Sequence, residues 1–323
     1  MRTVQCLRCI QPRDEYKHVS TTSLPGTSHT IWQHISASIS ARTGRRFTVE
    51  TIRAVSGGCI NRSAVLRDST SSYFVKMNAS QTLHMFEAEA NGLQQLATAN
   101  ALRVPSPVCS GKADDFAWLA LEDLGSISSG ATADWSLLGR GLAKIHQCAQ
   151  EHYGWHRNNT IGSTPQNNSP SNDWVAFFRD RRIGYQLNLA FSNGYRKHLE
   201  ARGNALLESI WYFFAGYKPQ ACLLHGDLWA GNVGFVADGT PVVFDPAIYY
   251  GDRETDIAMT ELFGGFAASF YHAYETVWPL NKGYATRKHL YNLYHLLNHL
   301  NLFGDGYLSQ CESTIDRLLA QVR

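Results

Sequence analysis

Charged side chains are scarce in this sequence, at 17% of 323 residues, against about a quarter in typical globular chains. The 29 Lys and Arg nearly balance the 27 Asp and Glu, leaving a formal net charge of +2. There is no one-signed field to attract nucleic acid or an anionic membrane surface, so neither is expected as a partner. No apolar run approaches the ~20 residues that a bilayer-spanning helix needs. The seven cysteines, at 6, 9, 59, 109, 148, 222 and 311, are odd in number and irregularly spaced. That pattern argues against a disulfide framework and for a reducing compartment. Cys6 and Cys9 form one isolated C-x-x-C pair, too little for a zinc site.

What is present is apolar and aromatic: 44% hydrophobic residues and 12% Phe, Trp and Tyr, enough for substantial cores in one large or two medium domains. Residues 1–27 lack helical or strand periodicity and carry a basic, Ser/Thr-rich composition. They read as a disordered or targeting extension, although Asp14 and Glu15 weaken a transit-peptide reading. The expected location is cytoplasmic, or organellar if that extension is a transit peptide.

From residue 28 to 121 the pattern is a small β-rich region with one prominent helix. Residues 30–40 suggest a short amphipathic helix. "RFTVETIRAVSGGCINRSAVLRD", "SSYFVKMN" and "FAWLALEDLGS" read as strands. "SQTLHMFEAEANGLQQLATA" reads as a helix started by Ser80, and "VPSPVCS" as an extended connector. From 122 to 323, four segments with i, i+3/i+4 apolar spacing make a larger helical region. It is interrupted by a hairpin, "NVGFV" and "PVVFDP" around "ADGT". The expected fold class is α+β, with an N-terminal β-rich lobe and a helical C-terminal lobe.

The chemistry concentrates in "LLHGDLWAGN", residues 223–232. Asn232 opens the hairpin's first strand and Asp245 closes its second, so both fall at one end of the pair, and Asp227 lies in the loop leading in. Three hard oxygen donors around a rigid hairpin suit Mg²⁺ shared with substrate phosphates. Asp-x₄-Asn followed by an Asp behind an apolar strand is the layout of phosphoryl transfer: one Asp meets the acceptor hydroxyl, and the Asn and second Asp hold metal. ATP is the implied phosphate donor. Gly57, Gly58 and Cys59 lie in a Ser-Gly-Gly turn whose backbone N–H groups could approach phosphates. Lys76 sits within an apolar strand, where an unpaired cation is costly. Of two nearby helical glutamates, Glu89 shares the inward stripe of Phe86, Leu93 and Leu96, whereas Glu87 falls on the polar face. Glu89 is therefore the expected partner. Backbone groups of Leu121, Glu122 and Asp123, at the end of an apolar strand, stand where adenine would bind.

These motifs, with "FDPAIYYGDRETDIAMTELFGGF", "IGSTPQNN", "DWVAFFRDRRIGYQLNLA" and "LLNHLNLFG", resemble the fructosamine kinase (ketosamine-3-kinase) family from about residue 30 to the C-terminus. The resemblance implies a bilobal protein-kinase-like fold. It implies ATP-dependent phosphorylation of the 3-hydroxyl of a ketosamine, either a small molecule or a glycated protein lysine, in the service of protein deglycation. By the same resemblance Asp227 is the catalytic aspartate, Asn232 and Asp245 are magnesium ligands, and Lys76 and Glu89 position ATP. Asp256 and His225 support the catalytic loop, and Trp229 and Glu254 lie on the substrate side. Many relatives read G-H-x-E where this chain has Gly251-Asp252-Arg253-Glu254, which would alter charge beside the sugar. His295 and His299, on one face of a late helix, are expected to pack rather than to bind. Some family members oxidise a cysteine at the position of Cys59, so the chain is expected to be a monomer or a redox-dependent homodimer. Two other readings stay open: a kinase for aminoglycosides or amino alcohols, and a catalytically inactive nucleotide-binding redox sensor.

Overall fold

The computed structural model describes residues 29–55, 60–128 and 133–322. Gly57, Gly58, Cys59, Cys6 and Cys9 lie outside them. In chain order the elements are α1 (His29–Thr43), β1 (Thr51–Val55), β2 (Arg62–Arg67), β3 (Ser72–Ala79), α2 (Leu83–Ala97), β4 (Pro107–Ala113) and β5 (Phe116–Glu122). There follow α3 (Trp135–His146), β6 (Ala149–Gln150), β7 (Asn159–Ile161), β8 (Thr164–Gln166), α4 (Trp174–Phe178), α5 (Tyr185–Ala190) and α6 (Arg196–Ser209). The chain continues through β9 (Ala221–Leu224), β10 (Val233–Phe235), β11 (Pro241–Val243), β12 (Tyr249–Gly251), α7 (Glu254–Leu262), α8 (Ala268–Val277), α9 (Tyr284–Phe303) and α10 (Leu308–Leu319).

Two compact units emerge. The first comprises the described residues up to Asp134 together with Val233–Asp245. Its five-stranded antiparallel sheet has the order β1-β2-β3-β5-β4. Alternation along β2, β3 and β5 turns Leu66, Val75, Met77, Trp118 and Ala120 into a core shared with Ile31, Trp32, Ile35 and Ile39 of α1. The reading of "VPSPVCS" as a connector is corrected: Pro107 begins an edge strand, with a register shift between Pro107 and Cys109, a position where a missing N–H is tolerated. Ser80 does not cap α2; a 3-10 turn, Ser80–Thr82, precedes the helix. The β10–β11 hairpin belongs to this unit and not to the helical one, through bridges Arg103↔Val242 and Ser128↔Phe235.

The second unit comprises Trp135–Asn232 and the residues from Pro246 onward. It is mainly helical, with a three-stranded sheet, β12-β9-β6, and the β7–β8 hairpin. β9 is buried at every position and runs straight into the catalytic-type loop. The long helix expected from "DWVAFFRDRRIGYQLNLA" is not continuous α-helix: a π-helical segment, Arg179–Gly184, separates α4 from α5. The wider turn lets Arg182 enter the interior, where its guanidinium is completely buried over the Tyr249 and Phe177 rings, at 4.2 and 4.6 Å. No described helix is long and apolar enough to cross a membrane.

Candidate active site

In the first unit, β3 carries Lys76 to the face covered by α2. Its ammonium is hydrogen-bonded to Glu89 and lies 2.6 Å from Asp245 Oδ1. Glu89, favoured over Glu87 by the stripe on α2, is paired with Lys76. Burial alone would depress the Lys76 pKa; the carboxylates of Asp245 and Glu89 outweigh it and raise the pKa, holding the side chain cationic. Asp245 is a non-glycine residue at φ 57°, a conformation that costs roughly 1–3 kcal/mol and is kept where the surroundings enforce it. The Asp245 side chain is nearly half exposed, so a carboxylate anchored to Lys76 still reaches solvent. Leu121 is buried in β5, Glu122 bonds Arg103 and the Ser106 N–H, and Asp123 accepts the N–H of Gly125.

In the second unit, the loop after β9 is shaped from beneath by Asp256. Its two oxygens accept the N–H groups of His225 (2.7 Å) and Gly226 (2.9 Å). Burial works to raise the Asp256 pKa, but hydrogen bonding from His146 and the loop N–H groups outweighs it, and the carboxyl sits below its ordinary value. His146, on α3, contacts Asp256 Oδ2 at 3.1 Å and the Tyr274 hydroxyl at 2.8 Å. Sequence reasoning did not single it out, since one histidine at the end of an amphipathic helix carries no signal of its own. Gly226 has φ 80°, and a Cβ there would lie 2.1 Å from the Ala247 carbonyl oxygen; only glycine fits the turn into Asp227. His225 Nδ1 accepts the Asp227 N–H at 3.3 Å, a bond that shapes the loop.

Asn232 donates its side-chain N–H₂ to Asp227, to the carbonyl oxygen at 2.9 Å and to Oδ2 at 3.0 Å. With both protons directed there, the carboxamide presents its oxygen as its remaining ligand. Oxygen donors from a carboxamide and a carboxylate suit a hard dication such as Mg²⁺. Trp229 lies across Gly231, where an added Cβ would meet the indole at 2.3 Å. It also makes an edge contact with Phe263 at 6.2 Å. Aromatic contacts continue from Phe263 to His299 (4.8 Å) and on to Tyr307 (5.1 Å). His295 is buried and its Nδ1 has no hydrogen-bond partner among the described residues; burial, with His299 nearby, lowers its pKa to about 3.

Glu254 is placed differently from expectation. It is wholly buried and paired with Arg287 through two contacts, at 2.8 and 3.0 Å. Its carboxylate is committed to this pair, which corrects its assignment to the substrate side. Asp252 is likewise fully buried, accepting from Tyr217, Tyr291 and the Glu254 N–H. Burial, with Glu254 beside it, pushes its pKa up to about 7. The residue at that position therefore changes the interior and not the charge of a sugar-facing surface.

The family model for fructosamine kinase matches residues 31–321. The chain belongs to the fructosamine kinase family. It is 43% identical to a protein of Synechocystis provisionally named a ketoamine kinase, over 92% of this chain and 99% of that one. It is 39% identical to a chloroplastic protein-ribulosamine 3-kinase of Arabidopsis thaliana, over 87% and 86% of the two chains. A crystal structure from Haemophilus somnus, provisionally named a fructosamine-3-kinase, superposes with a TM-score of 0.83 at 30% identity, covering 89% of this chain and 97% of the other. An aminoglycoside phosphotransferase superposes at 0.59 with 16% identity, which shows the shared protein-kinase-like fold. As a fructosamine kinase family member the chain is an ATP-dependent phosphotransferase.

Proposed function

We propose that this protein transfers the γ-phosphoryl group of ATP to the 3-hydroxyl of a ketosamine, and so takes part in protein deglycation. The observation that carries the reading is the Asp227–Asn232 pair on an Asp256-braced loop, in a chain of this family. Asp227 orients the acceptor hydroxyl and accepts its proton as the bond to phosphorus forms. Asn232 fixes Asp227 through its N–H₂ group, and its oxygen and the Asp245 carboxylate would hold Mg²⁺. When bound, that ion supplies charge neutralisation on the transferring phosphoryl group. Lys76, kept cationic by Glu89 and Asp245, meets the ATP phosphates. Trp229 faces the acceptor, with the aromatic side chains beyond it continuing the wall. Most of the rate enhancement then comes from positioning and electrostatics, because a loose transition state leaves little covalent work to the protein.

The test is to incubate the full chain with Mg·ATP and fructosyl-lysine, with an aminoglycoside and choline as parallel acceptors, and to follow ADP. The phosphorylated sugar is then located by NMR. ADP release with the fructosamine alone, with phosphorus on O3, is the expected result. Turnover of the aminoglycoside or choline instead, or phosphate on another oxygen, would overturn the substrate assignment.

A further inference from the structure

The segment "IGSTPQNN" resembles the family but has no part in the site described so far. In the structure it supplies the turn and second strand of the β7–β8 hairpin, in which Asn159, just ahead of it, stands directly opposite Gln166. Paired residues of an antiparallel ladder project to the same face, so two carboxamides are presented side by side. Both are buried, at 9% and 1% exposure.

Their donors converge on the backbone just beyond Asp245. Gln166 Nε2 donates to the Ala247 carbonyl at 3.0 Å, and Asn159 Nδ2 to the Ile248 carbonyl at 2.8 Å. The two amides are also joined to each other, Gln166 Nε2 to Asn159 Oδ1 at 2.8 Å. Their remaining acceptor positions are held in turn: Tyr294 donates to Gln166 Oε1 at 2.7 Å, and Asn168 to Asn159 Oδ1 at 2.8 Å. Arg182 fixes Asn168 through a 2.7 Å bond. On its other side the same stretch of backbone abuts the catalytic-type loop. The Ala247 N–H donates to His225 O at 2.9 Å, and the Ala247 carbonyl oxygen occupies the space that only a glycine at 226 leaves open.

We propose that Asn159 and Gln166 are positioning residues for phosphoryl transfer, which clamp the Ala247–Ile248 backbone and thereby fix Asp245 on one side and the Gly226–Asp227 turn on the other. This rests on the reading of Asp245 as a metal-binding carboxylate. The physical argument is that residues 246–248 lie between β11 and β12, so a ladder does not satisfy their carbonyls. A buried carbonyl must be paired, and here the pairing is delegated to side chains that could have been apolar. Two peptide units separate the clamp from Asp245, whose left-handed φ needs external enforcement. A buried polar network with its acceptors paired is rigid and specific.

The experiment measures Mn²⁺ binding to the full chain in the presence of ADP by electron paramagnetic resonance, beside kcat and KM with fructosyl-lysine. Gln166→Met, of similar shape but without the N–H, is expected to weaken Mn²⁺ binding about 10-fold, because it leaves the buried Ala247 carbonyl unpaired. It should lower kcat with little change in KM for the ketosamine. Tyr294→Phe removes a single hydroxyl and provides a variant that folds if Gln166→Met does not; losing one neutral hydrogen bond should weaken Mn²⁺ binding roughly threefold. Leu199→Ala, a cavity in α6, serves as the control for stability loss alone. Unchanged Mn²⁺ affinity in Gln166→Met and Tyr294→Phe, with binding lost in Asp245→Asn, overturns the clamp and leaves the metal reading standing. Equal weakening in Leu199→Ala also overturns it. Unchanged binding in Asp245→Asn overturns the metal reading itself.

Discussion

Replacing Glu254 or Arg287 separates a structural from a substrate role for a residue that sequence alone placed beside the sugar. The pair is buried to 0% and 4% side-chain exposure, with contacts at 2.8 and 3.0 Å. Arg287→Met would strand the Glu254 carboxylate in the interior next to Asp252, with no cation. Breaking a buried pair in this way costs roughly 3–5 kcal/mol. Glu254→Gln should cost less, about 1–3 kcal/mol. Arg287 would keep the Phe213 carbonyl, Asn281 Oδ1 and the Tyr217 ring at 3.7 Å. Asp252, relieved of its like-charged neighbour, would also ionise more readily. The double variant Glu254→Gln/Arg287→Met removes both charges of the pair together, so its loss should fall short of the sum of the single losses by about 2–3 kcal/mol. Urea unfolding followed by tryptophan fluorescence at pH 7.5 measures each corner of the cycle, and KM for fructosyl-lysine is measured in parallel. Additive effects, or single losses under ~0.5 kcal/mol, a size usual for surface substitutions, would refute the buried-pair argument. A double variant that recovers stability while its KM rises steeply would return Glu254 to the substrate.

Asp227→Asn should lower kcat about 10²–10⁴-fold, the usual worth of a positioned base, while calorimetry finds ATP binding largely kept; normal turnover would remove Asp227 from its role. Lys76→Met leaves Glu89 facing Asp245 without their shared cation, so the first unit should lose about 3 kcal/mol and KM for ATP should rise; an unchanged thermal midpoint would contradict the pairing. His295 has a folded pKa of about 3, well below the ordinary 6.5, so between those values the unfolded chain binds the extra proton. Its contribution to stability is therefore complete above pH 6.5 and declines as pH falls toward 3, by about 1.4 kcal/mol per pH unit while the difference lasts. The stability of the wild type relative to His295→Phe should accordingly fall between pH 6.5 and 4.5, and a difference independent of pH would show that the imidazole is not held neutral.

The parts of this molecule that were legible in the sequence are those whose signal is local. β3 and β5 alternate or run apolar, α2 carries a stripe, and the 3.6-residue period of that stripe was enough to choose Glu89 over Glu87. Asp227, Asn232 and Asp245 stood out because their spacing straddles one hairpin. What escaped were the pairings made across long sequence distances inside the second unit. Glu254 and Arg287 are 33 residues apart, His146 and Asp256 are 110 apart, and Gln166 and Tyr294 are 128 apart. Each partner taken alone is an unremarkable polar residue on an apolar helix or turn. An acidic residue near a substrate motif invites a substrate role, and only burial shows that Glu254 and Asp252 face inward. The π-helical segment was hidden for a related reason: the apolar spacing continues across it, and the wide turn accompanies a tertiary contact, Arg182 to Asn168. At Glu254 and Asp252 the difference between sequence and structure lies in buried polar groups, because hydrophobic period reports which face is inside but not which polar side chains are paired there. The His146–Asp256 and Gln166–Tyr294 pairs also brace the catalytic-type loop and the backbone after Asp245, so some of the least legible residues of this chain hold its most legible motif in shape.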